Sequence, residues 1–169
     1  MIRLLFALIG VATALFAHDS SPVTACGPKD VSFDVQVDAS HSAVMPPEAG
    51  KALVYVIQED GVWKCIGWGC TTTKVALDGV WIGANRHNSY FSFTVSPGER
   101  HVCVALQSAV VPRLVGLVHF TAEEGKVYYF RTRTFGGENR TFLDFEPIDS
   151  DQGKFLTAAY PASIAHARK

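Results

Sequence analysis

Residues Lys74–Gln107, KVALDGVWIGANRHNSYFSFTVSPGERHVCVALQ, decide the fold class, because two β-turns are written into them between alternating strands. Val75–Leu77 and Val80–Ile82 are apolar runs on either side of Asp78 and Gly79. Such a pair marks a type I′ hairpin, which needs positive φ at both central positions. The turn sets a register in which Leu77 faces Val80 and Val75 faces Ile82 on one side, with Ala76 opposite Trp81 on the other. Trp81, and by the same alternation Tyr90 and Cys103, are expected off the core side. Phe91, Phe93 and Val95 then alternate with Tyr90, Ser92 and Thr94. Ser96–Glu99 (SPGE) places Pro97 where φ is pre-set and Gly98 where φ is positive, as a type II turn requires. Val102, Val104 and Leu106 return the chain, so a meander of four strands is expected.

The flanks continue the pattern. Upstream, Ala52–Gln58 (ALVYVIQ) is apolar on both faces and is expected as a central strand. Val31–Val37 alternates apolar with polar as a half-buried strand does. Residues 38–50 (DASHSAVMPPEAG) read as a loop stiffened by Pro46 and Pro47. Downstream, Leu114–Phe120, Lys126–Arg133 and Thr141–Glu146 are strands separated by the AEEG turn and by Gly136-Gly137. Residues 149–159 are the one helical stretch, with an N-cap Asp or Ser before a weakly amphipathic run that Gly153 interrupts. Eight or nine short strands at regular spacing and one short C-terminal helix give an all-β chain, an antiparallel β-sandwich of the immunoglobulin-like kind. The sandwich domain is expected over residues 31–160, with a flexible tail over 161–169.

The N-terminus reads as an export signal. A short positive start, Met1–Arg3, precedes an uncharged apolar run of 13 residues, Leu4–Phe16, and then small residues. That is the layout of a signal peptide over residues 1–17, and it is shorter than a membrane span of roughly 20 residues. Residues 18–30 form a polar lead-in tied down by Cys26. Val23–Cys26 (VTAC) also fits a lipobox, whose Cys would carry a lipid anchor. Two features oppose that weaker reading: a polar HDSSP segment separates it from the apolar run, and lipidating Cys26 would leave three cysteines.

About 150 residues follow the signal, enough for one well-buried domain. Loss of Arg3 takes the 15 basic and 16 acidic residues to 14 and 16, a net charge of −2. With no basic block, nucleic acid and anionic membrane surfaces are not expected partners. Four cysteines in an exported chain imply two disulfides, with three connectivities open. Cys65 and Cys70 share a loop and could close a small ring, leaving Cys26 for Cys103.

Chemical motifs are sparse. His101 and Cys103 lie two apart on one strand and share a face, but a cysteine in a disulfide is no metal ligand, so neither metal nor cofactor is expected. No serine sits in a Gly-x-Ser-x-Gly elbow. Asp144 and Glu146 share a face, which more often means the wet side of an edge strand than paired acids. Four residues separate Cys65 from Cys70, unlike a redox CxxC, which favours a structural bridge. One constellation remains: Trp63 and Trp68 in the loop 59–71, with Trp81 and Tyr90 on the meander, could form an exposed aromatic platform for a ligand. The bland alternative is that a second layer covers them as core.

The order of a DG hairpin (Asp78, Gly79), Gly83, SYF (Ser89–Phe91), SPGE after Val95, His101 and AEEGKVYYFR (Ala122–Arg131) resembles the bacterial family named domain of unknown function 2846. The likeness covers roughly residues 50–147 and leaves out the loop 59–71. The chain is also similar to PEGA-type surface domains, which share the DG and PG turns. The resemblance implies an exported, envelope-associated β domain and supplies no activity. The expectation is therefore a non-enzymatic envelope or secreted protein, periplasmic or extracellular, whose partner is an envelope protein or a glycan. The alternative is a carbohydrate- or peptidoglycan-binding module using exposed tryptophans.

Overall fold

In this computed structural model, the described residues are 26–28, 30–38, 40, 46–60, 71–108, 114–136 and 141–168. The expected leader 1–17, residues 18–25, and Trp63, Cys65, Trp68 and Cys70 lie outside them. The elements are β1 (Phe33–Asp38), β2 (Ala52–Gln58), β3 (Thr72–Leu77), β4 (Val80–Arg86), β5 (Ser89–Val95), β6 (Gly98–Leu106), β7 (Val115–Ala122), β8 (Val127–Gly136), β9 (Thr141–Ile148), α1 (Ser150–Ala159) and β10 (Ala162–Ala167). They form the expected all-β sandwich with one short C-terminal helix. One sheet runs β1-β10-β5-β2-β8-β9 and the other β4-β3-β6-β7.

The Asp78-Gly79 turn is formed as expected, with φ of 48° and 84°. Its register holds for two pairs, Leu77 with Val80 and Ala76 with Trp81. A bulge between Val75 and Ala76 then sets Val75 opposite Gly83 instead of Ile82. The gap at Gly83 is occupied: a Cβ there would meet the Phe91 ring at 2.4 Å. Phe91 belongs to β5, and its ring fills that slot from the other sheet. The four-strand meander is therefore not formed. β5 leaves the hairpin and pairs with β2 across its whole length, while β6 pairs with β3. Alternation alone could not reveal this, because a strand with an apolar face satisfies the same pattern in either sheet.

The chain also changes sheet at the AEEG turn, since β7 pairs with β6 and β8 with β2. Two neighbours run parallel, β2 with β8 and β10 with β5, in an otherwise antiparallel arrangement.

Alternation along the strands sorts the apolar residues into three layers. Ala52, Val54, Val56, Val75, Val95, Val102, Val104 and Phe130 fill the space between the sheets. The opposite face of the long sheet carries Leu53, Tyr55, Ile57, Tyr90 and Tyr129, and α1 covers it with Leu156. The opposite face of the short sheet carries Ala76, Trp81, Ala84, Cys103 and Ala105, covered by Phe33 and Val35 of β1 and by Cys26. β2 is buried at all seven positions because both its faces are covered, as its composition predicts.

The expected loose tail is a strand. β10 pairs antiparallel with β1 over six residues, and its start lies parallel to β5. Tyr90 donates its N–H to the Pro161 carbonyl at 3.0 Å, and the Ser163 and Ser89 hydroxyls are 2.6 Å apart. Without β10, β1 would have no sheet to join. The tail's Ala, Ser and His gave no periodic signal because its burial is one-sided and shallow.

Helix α1 begins at an Asp149 N-cap, whose side chain accepts from the N–H groups of Asp151 and Gln152. Gly153, an interruption by propensity, is where the helix meets the sheet, since a Cβ there would lie 2.2 Å from the Tyr129 ring. Glycine in a helix costs about 1 kcal/mol relative to alanine, so propensity alone predicts that Gly153→Ala stabilises. The packing predicts the reverse, a loss of about 1–3 kcal/mol through overpacking against Tyr129. Urea denaturation of the variant measures the sign.

Candidate functional site

The expected aromatic platform is not an exposed surface. Trp81 and Tyr90 do lie off the sandwich interior, but each is covered, at 9% and 4% exposure. They also lie on different sheets, so the structure brings Trp81 beside Cys103 and leaves Tyr90 under the helix-covered face. Trp81 is closed in by the lead-in segment. Its Nε1 donates to the Pro28 carbonyl at 2.7 Å, and Gly27, at φ 72°, passes so close that a Cβ would meet the indole Nε1 at 3.0 Å. Lys74 sits 4.2 Å above the ring while its Nζ donates to the Val31 carbonyl. Trp63 and Trp68 fall outside the described residues.

Cys26 is bonded to Cys103, with Cα atoms 5.2 Å apart and a sequence separation of 77. A lipid on Cys26 would need the same sulfur, so the disulfide and the lipid anchor exclude each other. The bridge also removes Cys103 as a partner for His101. His101 instead stacks on His119 with ring centroids 4.7 Å apart, and His119 is paired to Glu99. Asp78 and Gly79 form the turn between β3 and β4, whereas Pro97 lies in the connection that carries the chain from one sheet to the other and Gly98, at φ 121°, is the first residue of β6. Among the described residues no group of three His, Cys, Asp or Glu side chains gathers as a metal site.

Two features emerge that the sequence reading did not single out. The first is the end of the sandwich interior at which β2 finishes with Gln58 and β3 starts with Thr72. Gln58 follows Val54 and Val56 on the inner face of β2, and Thr132 and Thr134 follow Phe130 on β8. Thr73 and Asn85 face each other on β3 and β4. All five are buried. Asn85 Nδ2 donates across the sandwich to the Val56 carbonyl at 2.8 Å. Gln58 Nε2 donates to Asp60 Oδ2 at 2.6 Å and to the Thr71 carbonyl at 3.0 Å. The Thr71 hydroxyl donates to the same carboxylate oxygen. Yet Gln58 Oε1, Asp60 Oδ1, Asn85 Oδ1 and the hydroxyls of Thr73, Thr132 and Thr134 have no partner. Each such atom left unsatisfied costs about 1–3 kcal/mol. Periodicity held the signal: Gln58, Thr73, Asn85, Thr132 and Thr134 continue the inward-facing positions of their strands with polar side chains.

The second is the outer face of β8 and β9. Phe135 stands opposite Phe142, Arg133 opposite Asp144, and Arg131 opposite Glu146. The two phenylalanines are 42% and 53% exposed, and Arg133 lies 5.3 Å from the Phe135 ring. Arg131 bonds Glu146 at 2.5 Å and reaches Glu59 at 3.4 Å, and Arg133 bridges Asp144 and Glu146. Asp144 and Glu146 do share a face, but each is neutralised by an arginine.

No family model matches the chain, and neither does any curated protein or solved structure. The chemistry of the site is therefore argued from its own residues.

The ion-pair ladder shifts its members in the expected directions. The Arg131 hydrogen bond, helped by the Arg131 and Arg133 charges, holds the Glu146 carboxyl below the usual range. The same pairing raises Arg131. Burial pushes Tyr90, Tyr129 and Tyr160 up. A carboxyl lowered by folding contributes stability above its unfolded pKa, about 4.3 for Glu, and loses it as pH falls through the folded value. Glu146 is more than a third exposed, so solvent screening keeps the contribution under about 1 kcal/mol. Glu146→Gln is expected to cost less than that at pH 7 and to flatten the loss of stability below about pH 4. Denaturation midpoints from pH 7 to 2 measure it.

Proposed function

We propose that this is a non-enzymatic, exported β-sandwich of the cell envelope or the secreted fraction, which acts by binding. The buried Cys26–Cys103 bridge carries the reading. It fixes the segment that follows the apolar leader across the outer face of a sheet, and disulfides of this kind persist in oxidising compartments. In a chain-entropy account, closing a loop of that length destabilises the unfolded state by about 4 kcal/mol. The paired arginines and carboxylates of the β8–β9 face are those of a structural or recognition surface. The likeness to domain of unknown function 2846 supports the same reading and adds no activity.

The intact mass of the natively exported protein, before and after reduction, tests export and bridging together. The expected mass begins at His18 and rises on reduction by two hydrogens for each bridge. A chain starting at Cys26 with added acyl groups would overturn the proposal of a soluble domain.

A glycan is the second reading, and the exposed Phe135 and Phe142 pair favours it. Rigid rings on a hairpin stack on sugar faces at small entropic cost, and neighbouring Arg133 and Asp144 offer hydrogen bonds to hydroxyls. Co-sedimentation of the mature chain with purified peptidoglycan sacculi is expected, reduced about tenfold in the Phe135→Ala/Phe142→Ala variant, a loss of about 1.4 kcal/mol. Equal sedimentation of the variant would remove this face, and no sedimentation of either would turn the search to a protein partner.

A further inference from the structure

We infer that the polar end of the sandwich interior holds an oxygen-ligated hard cation, with Asp60 as its charged ligand. Asp60 is only 3% exposed, and its side chain meets the Gln58 amide and the Thr71 hydroxyl. An ionised carboxylate taken out of water needs a compensating charge or it is strongly disfavoured. Its Oδ2 is occupied by Gln58 and Thr71, and its Oδ1 has no partner.

The amide orientations are fixed by their surroundings. Gln58 faces a carboxylate and a carbonyl through one end of its amide, and both accept, so that end is the nitrogen. Asn85 faces the Val56 carbonyl in the same way. Gln58 Oε1 and Asn85 Oδ1 are consequently turned away from these acceptors, buried and unpartnered. Thr71 joins the Asp60 and Gln58 pair, and Thr73 follows on the same face of the chain, opposite Asn85. One carboxylate oxygen, two amide oxygens and the Thr73 hydroxyl thus occupy one end of the interior without hydrogen-bond partners.

Oxygen donors without nitrogen or sulfur are the ligands of hard cations and not of zinc or copper. Calcium accepts carboxylate and amide oxygens in irregular sets of six to eight, whereas magnesium demands octahedral order and keeps its waters. A single carboxylate also balances sodium. Few charged ligands place calcium at the weak end of its range, dissociation constants of about 10⁻⁴–10⁻³ M, the range of extracellular modules.

The test is thermal melting of the mature chain, oxidised and chelator-treated, in choline chloride, with sodium or calcium added at constant ionic strength. A saturable rise of about 3–5 °C at ten times the dissociation constant is expected for the preferred cation. Asp60→Asn, which keeps the shape and removes the charge, is expected to abolish the rise. Should that variant not fold, Thr73→Val removes one ligand oxygen and is expected to weaken the same titration at least about threefold. A flat titration of the wild type with both cations, with calorimetry showing no binding heat, overturns the inference and leaves ordered water as the partner of these oxygens. A rise that Asp60→Asn or Thr73→Val leaves unchanged overturns the site.

Discussion

A sheet that is apolar on both faces has to be covered twice, and that constraint governs this chain. β2 is the clearest case: Val54 and Val56 point between the sheets, while Leu53, Tyr55 and Ile57 point away from them. The short sheet has the same property, with Val75, Val102 and Val104 inward and Ala76, Trp81 and Cys103 outward. A plain two-layer sandwich would leave both outer sets in water. Helix α1 covers one, and β1 with the lead-in covers the other. The C-terminal strand follows from this, since β1 reaches the far face of the short sheet as a continuation of the long sheet through β10.

The disulfide fits the same account. Ala76, Ala84 and Ala105 are the small side chains of the outer face of the short sheet, and among the described residues the indole of Trp81 is the one large ring that the short sheet's strands contribute to the cluster there. Phe33 and Val35 of β1 pack on that face together with Cys26 of the lead-in. The covalent bond from Cys26 to Cys103 holds the lead-in over the indole, while Pro28 satisfies its N–H and Lys74 its exposed ring face.

Much of this was legible in the residues. The alternation in β1, the doubly apolar β2, the Asp78-Gly79 turn and the capped helix are local signals, and local sequence carries them. The partners of β5, β6 and β8 were not legible, because strand pairing is a choice among equally patterned neighbours. The deciding contact, Phe91 against Gly83, joins residues only eight apart that look like two strands of one hairpin. Trp81 was legible as to side and not as to cover, since its cover comes from residues 26–35 and from the C-terminal tail. The exposed Phe135 and Phe142 were hidden by their likeness to any strand aromatic.

The two ends of the sandwich interior are built on different terms. At one end β2 begins with Ala52 and Val54, and backbone bonds from Leu53 to the Lys126 carbonyl and from Gly125 to the Lys51 carbonyl pin the neighbouring turns to it. Apolar packing suffices there, and among the described residues no buried polar side chain faces inward at that end. At the other end the same strands continue inward with Gln58, Thr73, Asn85 and Thr132, all buried at no more than 1% exposure. Valine at those positions would extend the apolar core with less desolvation of the side chains themselves. Polar residues at four inward positions on four different strands are a stability cost borne at the end where β2 finishes and β3 starts. Such a cost is offset where these oxygens meet a bound cation or ordered water.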